Sequence, residues 1–118
     1  MDKIYEQTML FDFYGELLTD HQRRVYEDAV YNDLSLSEIA EQQGISRQGV
    51  HDLIKRCDKL LQDYERKLHL VERFTRAKDT VKRIQCLADN EGQSIAPEEM
   101  QNRLQSIGQL SCELLKEL

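Results

Sequence analysis

The stretch that decides the fold is residues 34–50, which read LSLSEIAEQQGISRQGV. Ser35 followed three residues later by Glu38 is a capping box, the pattern that starts a helix by satisfying its first free amide groups. Gly44 can adopt the left-handed conformation that ends this helix, and Ser46 can cap the next one. The stretch therefore predicts two helices joined by a tight turn, which is a helix-turn-helix.

Apolar residues in and around this stretch fit the same unit. Ala40 is small enough for the point where the two helices cross, and Leu34 can pack on Ile39 as a hydrophobic staple. We expect the core anchors to be Ile39, Ile45, Val50 and Ile54. A helix-turn-helix needs a small residue at the helix crossing, a turn residue that tolerates positive φ, and apolar anchors on both sides of the turn. All of these are present within this short segment.

The segment before the turn predicts two further helices. Thr19 and Gln22 form a second capping box, which starts a helix through about Tyr31. Upstream, apolar residues recur at helical spacing from Ile4 to about Leu18, and we expect the aromatic side chains of this first helix, including Tyr14, to cover the next unit.

The segment after the turn predicts a long helical extension. Residues 50–91 hold no internal Gly or Pro, and their apolar residues recur at spacings of three and four. One continuous helix of this length would span roughly 60 Å. Residues 90–94 (NEGQS) predict a turn, and Pro97 with Glu98 predicts the first turn of a last helix.

These elements give an all-α fold. We expect a sigma region 4-like helix-turn-helix bundle followed by a long helical extension and a C-terminal helix. The predicted domains are residues 1–60, the N-terminal helix plus helix-turn-helix, and residues 61–118, an extension used for packing or dimerisation.

The charge argues against a generic nucleic-acid binder. The net charge is −6, whereas neutralisation of phosphates by Lys and Arg supplies most non-specific affinity. Residues 19–60 hold six Lys/Arg against eight Asp/Glu, a net charge of −2, and residues 61–90 hold seven against five, a net charge of +2. The cationic stretch therefore lies outside the predicted helix-turn-helix.

Cysteine and histidine placement gives no catalytic or metal site. Cys57, Cys86 and Cys112 are widely spaced without a Cys-x-x-Cys pair, and we expect Cys57 to be a small buried hydrophobic residue. There is no glycine-rich phosphate loop, signal peptide or membrane-spanning apolar run. These patterns predict a cytoplasmic protein that is not an enzyme and needs no cofactor.

Residues 34–50, together with Leu18-Thr19, Gln22 and Val25, resemble region 4 of bacterial sigma factors. The whole chain resembles the YlxM family, most specifically in the opening Tyr5…Leu10-Phe11-Asp12-Phe13-Tyr14 and in the run from Ser46 to Asp52. Genes of that family neighbour those for Ffh and FtsY. The resemblance therefore implies a role in the signal recognition particle pathway.

The second helix of a helix-turn-helix reads base edges with its N-terminal residues. Here the residues that helical spacing would bring to the outer face are Arg47, Gln48, His51, Asp52 and Lys55. Arg47 suits guanine and Gln48 suits adenine. The alternative is a solvated polar face without a reading role, and Asp52 favours that alternative because a carboxylate near phosphates lowers affinity.

A second set of basic residues lies on the extension, with Arg66, Arg73, Arg76 and Lys82 as candidate contacts to a nucleic-acid backbone or a partner. The alternative is an ordinary solvent face, charge-paired with Glu65, Glu72 and Asp79. The apolar stripe from Tyr64 to Ala88 would pack either within the chain or in a homodimer, and the dimer is our expectation because paired reading heads increase affinity.

Two functions follow as hypotheses. The first is a regulatory protein that binds nucleic acid, DNA first, through the N-terminal part of the fourth helix. The second is an accessory protein without DNA binding, which interacts with Ffh, FtsY or the particle RNA through its helical extension.

Overall fold

The computed structural model describes residues 2–90 and 92–118, and all regular structure in that range is helical. The all-α expectation is thereby confirmed. The elements are α1 (Lys3–Tyr14), a 3-10 turn (Gly15–Leu17), α2 (Asp20–Val30), α3 (Leu36–Gln43), α4 (Arg47–Leu68), α5 (Leu70–Ala88) and α6 (Pro97–Glu117). They form two compact units, Met1–Val71 and Glu72–Leu118. The domain boundary predicted after residue 60 falls within α4.

The helix starts predicted from local chemistry are confirmed. Thr19 caps α2 and Ser35 caps α3, each in a complete capping box with the Gln or Glu three residues on. Gly44 ends α3 in the left-handed region at φ 67°. Ser46 caps α4 by accepting a hydrogen bond from the Gly49 amide at 3.0 Å.

The core of the first unit consists of two adjoining clusters around α4. One joins α2, α3 and α4 through the buried side chains of Val25, Ile39, Ala40 and Val50, with Leu34 packed against them. The other joins α1, α2 and α4, and its buried members are Leu10, Tyr14, Leu18, Tyr26, Cys57 and Leu61. Ile54 packs against both clusters. The expected anchor Ile45 is wrong as a core residue, because it is 39% exposed and follows the left-handed Gly44.

Polar side chains tie α1 and α2 to α4 at Asp58. Its carboxylate accepts a hydrogen bond from the Tyr26 hydroxyl at 2.5 Å and from the Gln7 amide at 3.0 Å. Burial and the neighbouring carboxylate both raise the pKa of Tyr26. The phenol therefore stays protonated and donates to Asp58 at all physiological pH values.

The prediction of one continuous helix from residue 50 to the turn at 90–94 is wrong. The helix ends at His69, which adopts the left-handed conformation with φ at 57°. Tyr14 holds this break. Its hydroxyl donates to Glu65 Oε1 at 2.5 Å and accepts from the Leu70 amide at 3.1 Å, and Glu65 Oε1 accepts from the Val71 amide at 3.0 Å. The first free amides of α5 are thus capped by residues of α1 and α4.

The second unit contains most of α5 and all of α6. Two contacts show that these helices run antiparallel: Arg76 Nη1 lies 3.6 Å from Glu117 Oε1, and Arg103 Nη1 donates to the Asp89 carbonyl at 3.4 Å. α5 has no buried side chain, and in α6 only Leu110 is buried. Packing in this unit is therefore much thinner than in the first.

The described residues between α5 and α6 match the turn and the helix start that the sequence predicts. Gly92 has a positive φ of 77° and belongs to a turn, while Glu91, part of the predicted turn, lies outside the described residues. Pro97 occupies the first position of α6. Across residues 2–90 and 92–118, no helix combines the length and apolar character needed to cross a membrane.

Candidate nucleic-acid interface

The start of α4 is fixed by two small residues. Gly44 supplies the left-handed turn between α3 and α4, and the backbone at Gly49 lies so close to the cap that an added Cβ would stand 3.1 Å from Ser46 Oγ. A side chain at residue 49 would push against the capping hydroxyl. This geometry sets Arg47 as the first residue of α4.

Helical spacing separates α4 into a core face and an outer face. Val50, Cys57 and Leu61 are fully buried on the first. The outer face carries all five residues predicted to read bases: Arg47, Gln48, Asp52 and Lys55 are exposed and His51 is half-buried. The structure therefore brings the five side chains together on one surface, at the N-terminal half of α4.

Asp52 is the centre of the polar contacts on this face. Gln48 Nε2 donates to Asp52 Oδ1 at 3.0 Å, and His51 Nδ1 lies 3.7 Å from the same oxygen. His51 Nδ1 is buried and makes no hydrogen bond within the described chain. The carboxylate thus occupies one of the two Nε2 hydrogens of Gln48 and leaves the other hydrogen and the amide oxygen for further partners.

The two basic side chains on the same face make no such contacts. Over residues 2–90 and 92–118, neither Arg47 nor Lys55 has a hydrogen-bond or ion-pair partner. Their donors are free for an external acceptor. An arginine fork suits the paired acceptors of guanine, and a lysine suits a phosphate oxygen.

A shallow groove of about 410 Å³ lies between α3 and α4 on this surface, lined by Leu36, Arg47, Gln48 and His51. Leu36, the first residue of α3, is half-buried and adds an apolar wall to an otherwise polar groove. The sequence predicted this residue only as part of the helix start. Leu36 is the first residue of α3, directly after the Ser35 cap. This position is the signal from which its place beside α4 could have been predicted.

The second predicted set, Arg66, Arg73, Arg76 and Lys82, is divided between the two units. Arg66 belongs to the first unit and pairs with Asp63 at 3.0 Å. The other three belong to the second, where Arg76 is held by Glu72 at 2.5 Å and by Glu117. Arg73 and Lys82 are exposed and have no ion-pair partner in the described parts of the chain.

The described residues offer little basis for metal binding or thiol chemistry. The described residues contain no group of three or more His, Cys, Asp or Glu arranged to hold a metal ion. Cys57 is buried as expected, and burial followed by the charge of Asp58 raises its pKa to about 11. A thiol of that kind is a poor nucleophile.

Comparison with known proteins places the chain in a family. The family model described as "Putative helix-turn-helix protein, YlxM / p13 like" (UPF0122) matches residues 1–103. A UPF0122 protein of Acetivibrio thermocellus is 51% identical over 79 residues, covering 67% of this chain and 68% of that protein. One of Desulforamulus reducens is 40% identical over 98 residues, covering 83% and 84%. One of Halalkalibacterium halodurans is 37% identical over 110 residues, covering 93% and 98%. The chain therefore belongs to the UPF0122 family of YlxM / p13-like helix-turn-helix proteins.

Proposed function

We propose that this protein is a regulatory protein that binds duplex DNA through the N-terminal half of α4. The observation that carries the proposal is the free Arg47 guanidinium at the rim of the groove between α3 and α4, beside Gln48 and His51. In a helix-turn-helix this position faces the base edges of the major groove. Leu36 adds an apolar wall suited to the methyl group of thymine.

The charge of the helix-turn-helix sets how it would bind. With a net charge of −2 over residues 19–60, the unit gains little from counterion release, which dominates non-specific binding. Affinity must come from a few direct contacts. We therefore expect weak binding to random duplex. The affinity should fall only shallowly as salt concentration rises, with a slope that corresponds to neutralisation of roughly one to two phosphates.

The test is selection of a preferred duplex from a random library, followed by fluorescence anisotropy with Arg47→Ala and Gln48→Ala. Losing a bidentate base contact costs about 1–3 kcal/mol, so we expect Arg47→Ala to weaken the selected duplex roughly 5- to 150-fold. Arg56→Ala is the matched control, since Arg56 is an exposed arginine of α4 outside the predicted reading face.

Two results would contradict the proposal. If no sequence is enriched and the wild type binds no duplex even at low salt, α4 is not a reading helix. Equal losses for Arg47→Ala and Arg56→Ala would indicate general electrostatic attraction without base recognition.

A second candidate function is supported by the basic residues of α5. Arg73, Lys78, Lys82 and Arg83 are exposed and, within residues 2–90 and 92–118, free of ion pairs. They would serve an accessory protein of the signal recognition particle that binds Ffh, FtsY or the particle RNA. RNA backbone contacts of this kind need unpaired basic groups.

Binding of the full chain to the particle RNA and to Ffh, with Arg73→Glu/Lys82→Glu beside the wild type, tests this second function. We expect at least about a tenfold loss if α5 meets RNA phosphates. Lys3→Glu/Arg24→Glu makes the same charge change outside α5 and should bind as the wild type does. An equal loss in both double variants, or no binding by the wild type, counts against an α5 site.

A further inference from the structure

Asp52 is the acidic member of the outer face of α4, where a carboxylate repels the phosphates of an approaching duplex. It does not compensate for this by pairing with the cations beside it, because Arg47 and Lys55 have no ion-pair partner in the described parts of the chain. Its hydrogen bond on this face is the one from Gln48. What Asp52 does here is therefore to hold the Gln48 side chain.

The carboxylate fixes which end of the Gln48 amide faces it. Gln48 Nε2 lies 3.0 Å from Asp52 Oδ1, one helical turn further along α4. A carboxylate can only accept hydrogen bonds, so the nitrogen end of the amide must face Asp52 and the oxygen end must point away from it. Without the carboxylate, the amide could turn over about its last bond, which has no strong preference between the two orientations.

His51 does not take the place of Gln48 at this carboxylate. Its Nδ1 lies 3.7 Å from Asp52 Oδ1, which is beyond hydrogen-bond distance. The same nitrogen is shielded from solvent and makes no hydrogen bond to the described residues. The direction of the Gln48 amide is therefore set by Asp52 alone among the side chains of this face.

An amide held in this way presents a defined pair of groups. If the Nε2 hydrogen that is trans to Oε1 goes to Asp52, the other hydrogen and Oε1 lie side by side on the free edge of Gln48. Adenine offers a matching pair in the major groove, the N7 acceptor and the N6 donor. Guanine offers two acceptors, N7 and O6, so Oε1 would be opposed to O6. The held amide therefore fits adenine and disfavours guanine.

We propose that Asp52 is a positioning residue that sets Gln48 to read adenine, in a duplex that also contains a guanine for Arg47. This inference rests on the proposed DNA-binding function. Consecutive residues lie about 3.8 Å apart along the chain, close to the spacing of about 3.4 Å between bases along one strand. The adenine should therefore lie within about two base pairs of the guanine.

The strength of the Gln48–Asp52 bond sets the size of the effect, because this bond must break before the amide can turn over. At an exposed position a hydrogen bond lies at the lower end of the usual range, which corresponds to an equilibrium factor of about two to five. Asp52 should therefore raise the preference for adenine over guanine about two- to fivefold, even though its charge weakens the complex as a whole.

The test measures base preference at each position of the duplex selected by the full chain. Every base pair is changed in turn, and the dissociation constants are measured by fluorescence anisotropy. Gln48→Ala identifies the position that Gln48 reads, where its adenine preference is lost. At that position Asp52→Ala should lose about two- to fivefold of the preference for adenine over guanine. The guanine preference that Arg47→Ala removes should remain.

Two variants separate positioning from charge. Asp52→Asn removes the charge but keeps a carbonyl that can accept from Gln48, so it should retain the adenine preference. Glu41→Ala removes an exposed carboxylate of α3 that makes no contact with Gln48, and it should leave every base preference unchanged.

NMR of the Gln48 side-chain amide tests the bond in the free protein. The resonance of the hydrogen trans to Oε1 should move on Asp52→Ala and stay in place on Glu41→Ala. An unchanged resonance in Asp52→Ala would overturn the inference, whatever the result with DNA.

The remaining outcomes distinguish this inference from the proposed function. If the wild type selects no duplex, both fail together. If a duplex is selected but Asp52→Ala keeps the full adenine preference, or Asp52→Asn loses it as Asp52→Ala does, the positioning role is wrong and DNA binding stands. A preference lost at a cytosine instead would mean that Asp52 reads that base directly, which also overturns the positioning role.

Discussion

Asp52 is the residue that limits the candidate DNA interface. Its carboxylate holds the Gln48 amide at 3.0 Å and stands on the face where phosphates and bases would approach. In an asparagine variant the side-chain carbonyl still accepts the Gln48 hydrogen bond while the negative charge is lost. The polar face therefore keeps its geometry and loses its repulsion.

For Asp52→Asn we expect a two- to fivefold tighter complex with the selected duplex at low salt, since relief of one charge repulsion at partly solvated distance is worth about 0.5–1 kcal/mol. Anisotropy at low and at physiological salt measures it, and the gain should shrink as salt rises. Asp33→Asn removes the same charge from an exposed turn and keeps a side chain that tolerates the positive φ of 54° there. Equal gains for both variants would mean that only net charge matters.

Cys57 is protected from reaction both by its burial and by a raised pKa that keeps the thiol protonated. Burial and the charge of Asp58 raise its pKa to about 11, so at pH 8 only about 0.1% of the thiol is ionised. We expect a thiol reagent to label two groups of the native chain quickly, the exposed Cys86 and Cys112. The third should react only in denaturant. A Cys86→Ser/Cys112→Ser chain that labels quickly in its native state would contradict this.

The raised pKa of Cys57 also makes the free energy of unfolding depend on pH. Above about pH 9 the Cys57 thiol ionises in the unfolded chain but keeps its proton in the folded one until about pH 11. The unfolded state then binds fewer protons, so this group lowers the free energy of unfolding as pH rises through that window. Burial of Tyr26 acts in the same direction at still higher pH.

At the scale of the elements, the break between α4 and α5 depends on Tyr14. Its hydroxyl links α1 to both the Glu65 carboxylate and the Leu70 amide. For Tyr14→Phe we expect a loss of about 1–3 kcal/mol in the free energy of unfolding, because a buried, partly charged hydrogen bond is lost and an amide is left unpaired. Urea unfolding measures it. Tyr5→Phe, at an exposed position of α1, should change stability by less than about 0.5 kcal/mol.

The elements also show why sequence reasoning succeeded at some helix ends and failed at one. Thr19, Ser35 and Gly44 act within four residues of themselves, so their capping roles could be predicted from neighbours in the chain. The break at His69 depends on Tyr14, whose hydroxyl accepts a hydrogen bond from the Leu70 amide, 56 residues further along the chain. No local pattern encodes that contact, and the apolar spacing continues through the break.

The candidate site divides in the same way. That Arg47, Gln48 and Lys55 share a face follows from helical spacing alone, and the structure agrees. The hydrogen bond from Gln48 to Asp52 depends on rotamers, and the groove wall at Leu36 depends on how α3 and α4 cross. Neither of these could be predicted from residue order.

At the scale of the whole molecule, the buried side chains are distributed very unevenly. Every buried hydrophobic residue of the described chain except Leu110 lies in the first unit. We expect a fragment of residues 1–71 to unfold cooperatively in urea, because it retains both core clusters and the bonds around Glu65. A fragment ending at residue 60 is the control: it lacks Leu61 and Glu65 and should have no cooperative transition. A disordered 1–71 fragment would contradict the division.

The thin packing of α5 has a consequence for amide hydrogen exchange. α5 is described throughout and has no buried side chain, so opening it exposes little apolar surface and costs far less free energy than global unfolding. Its amides should exchange quickly with deuterium through local opening. The amides of α2 and of the first half of α4 should exchange slowly, because their exchange requires unfolding of the whole core.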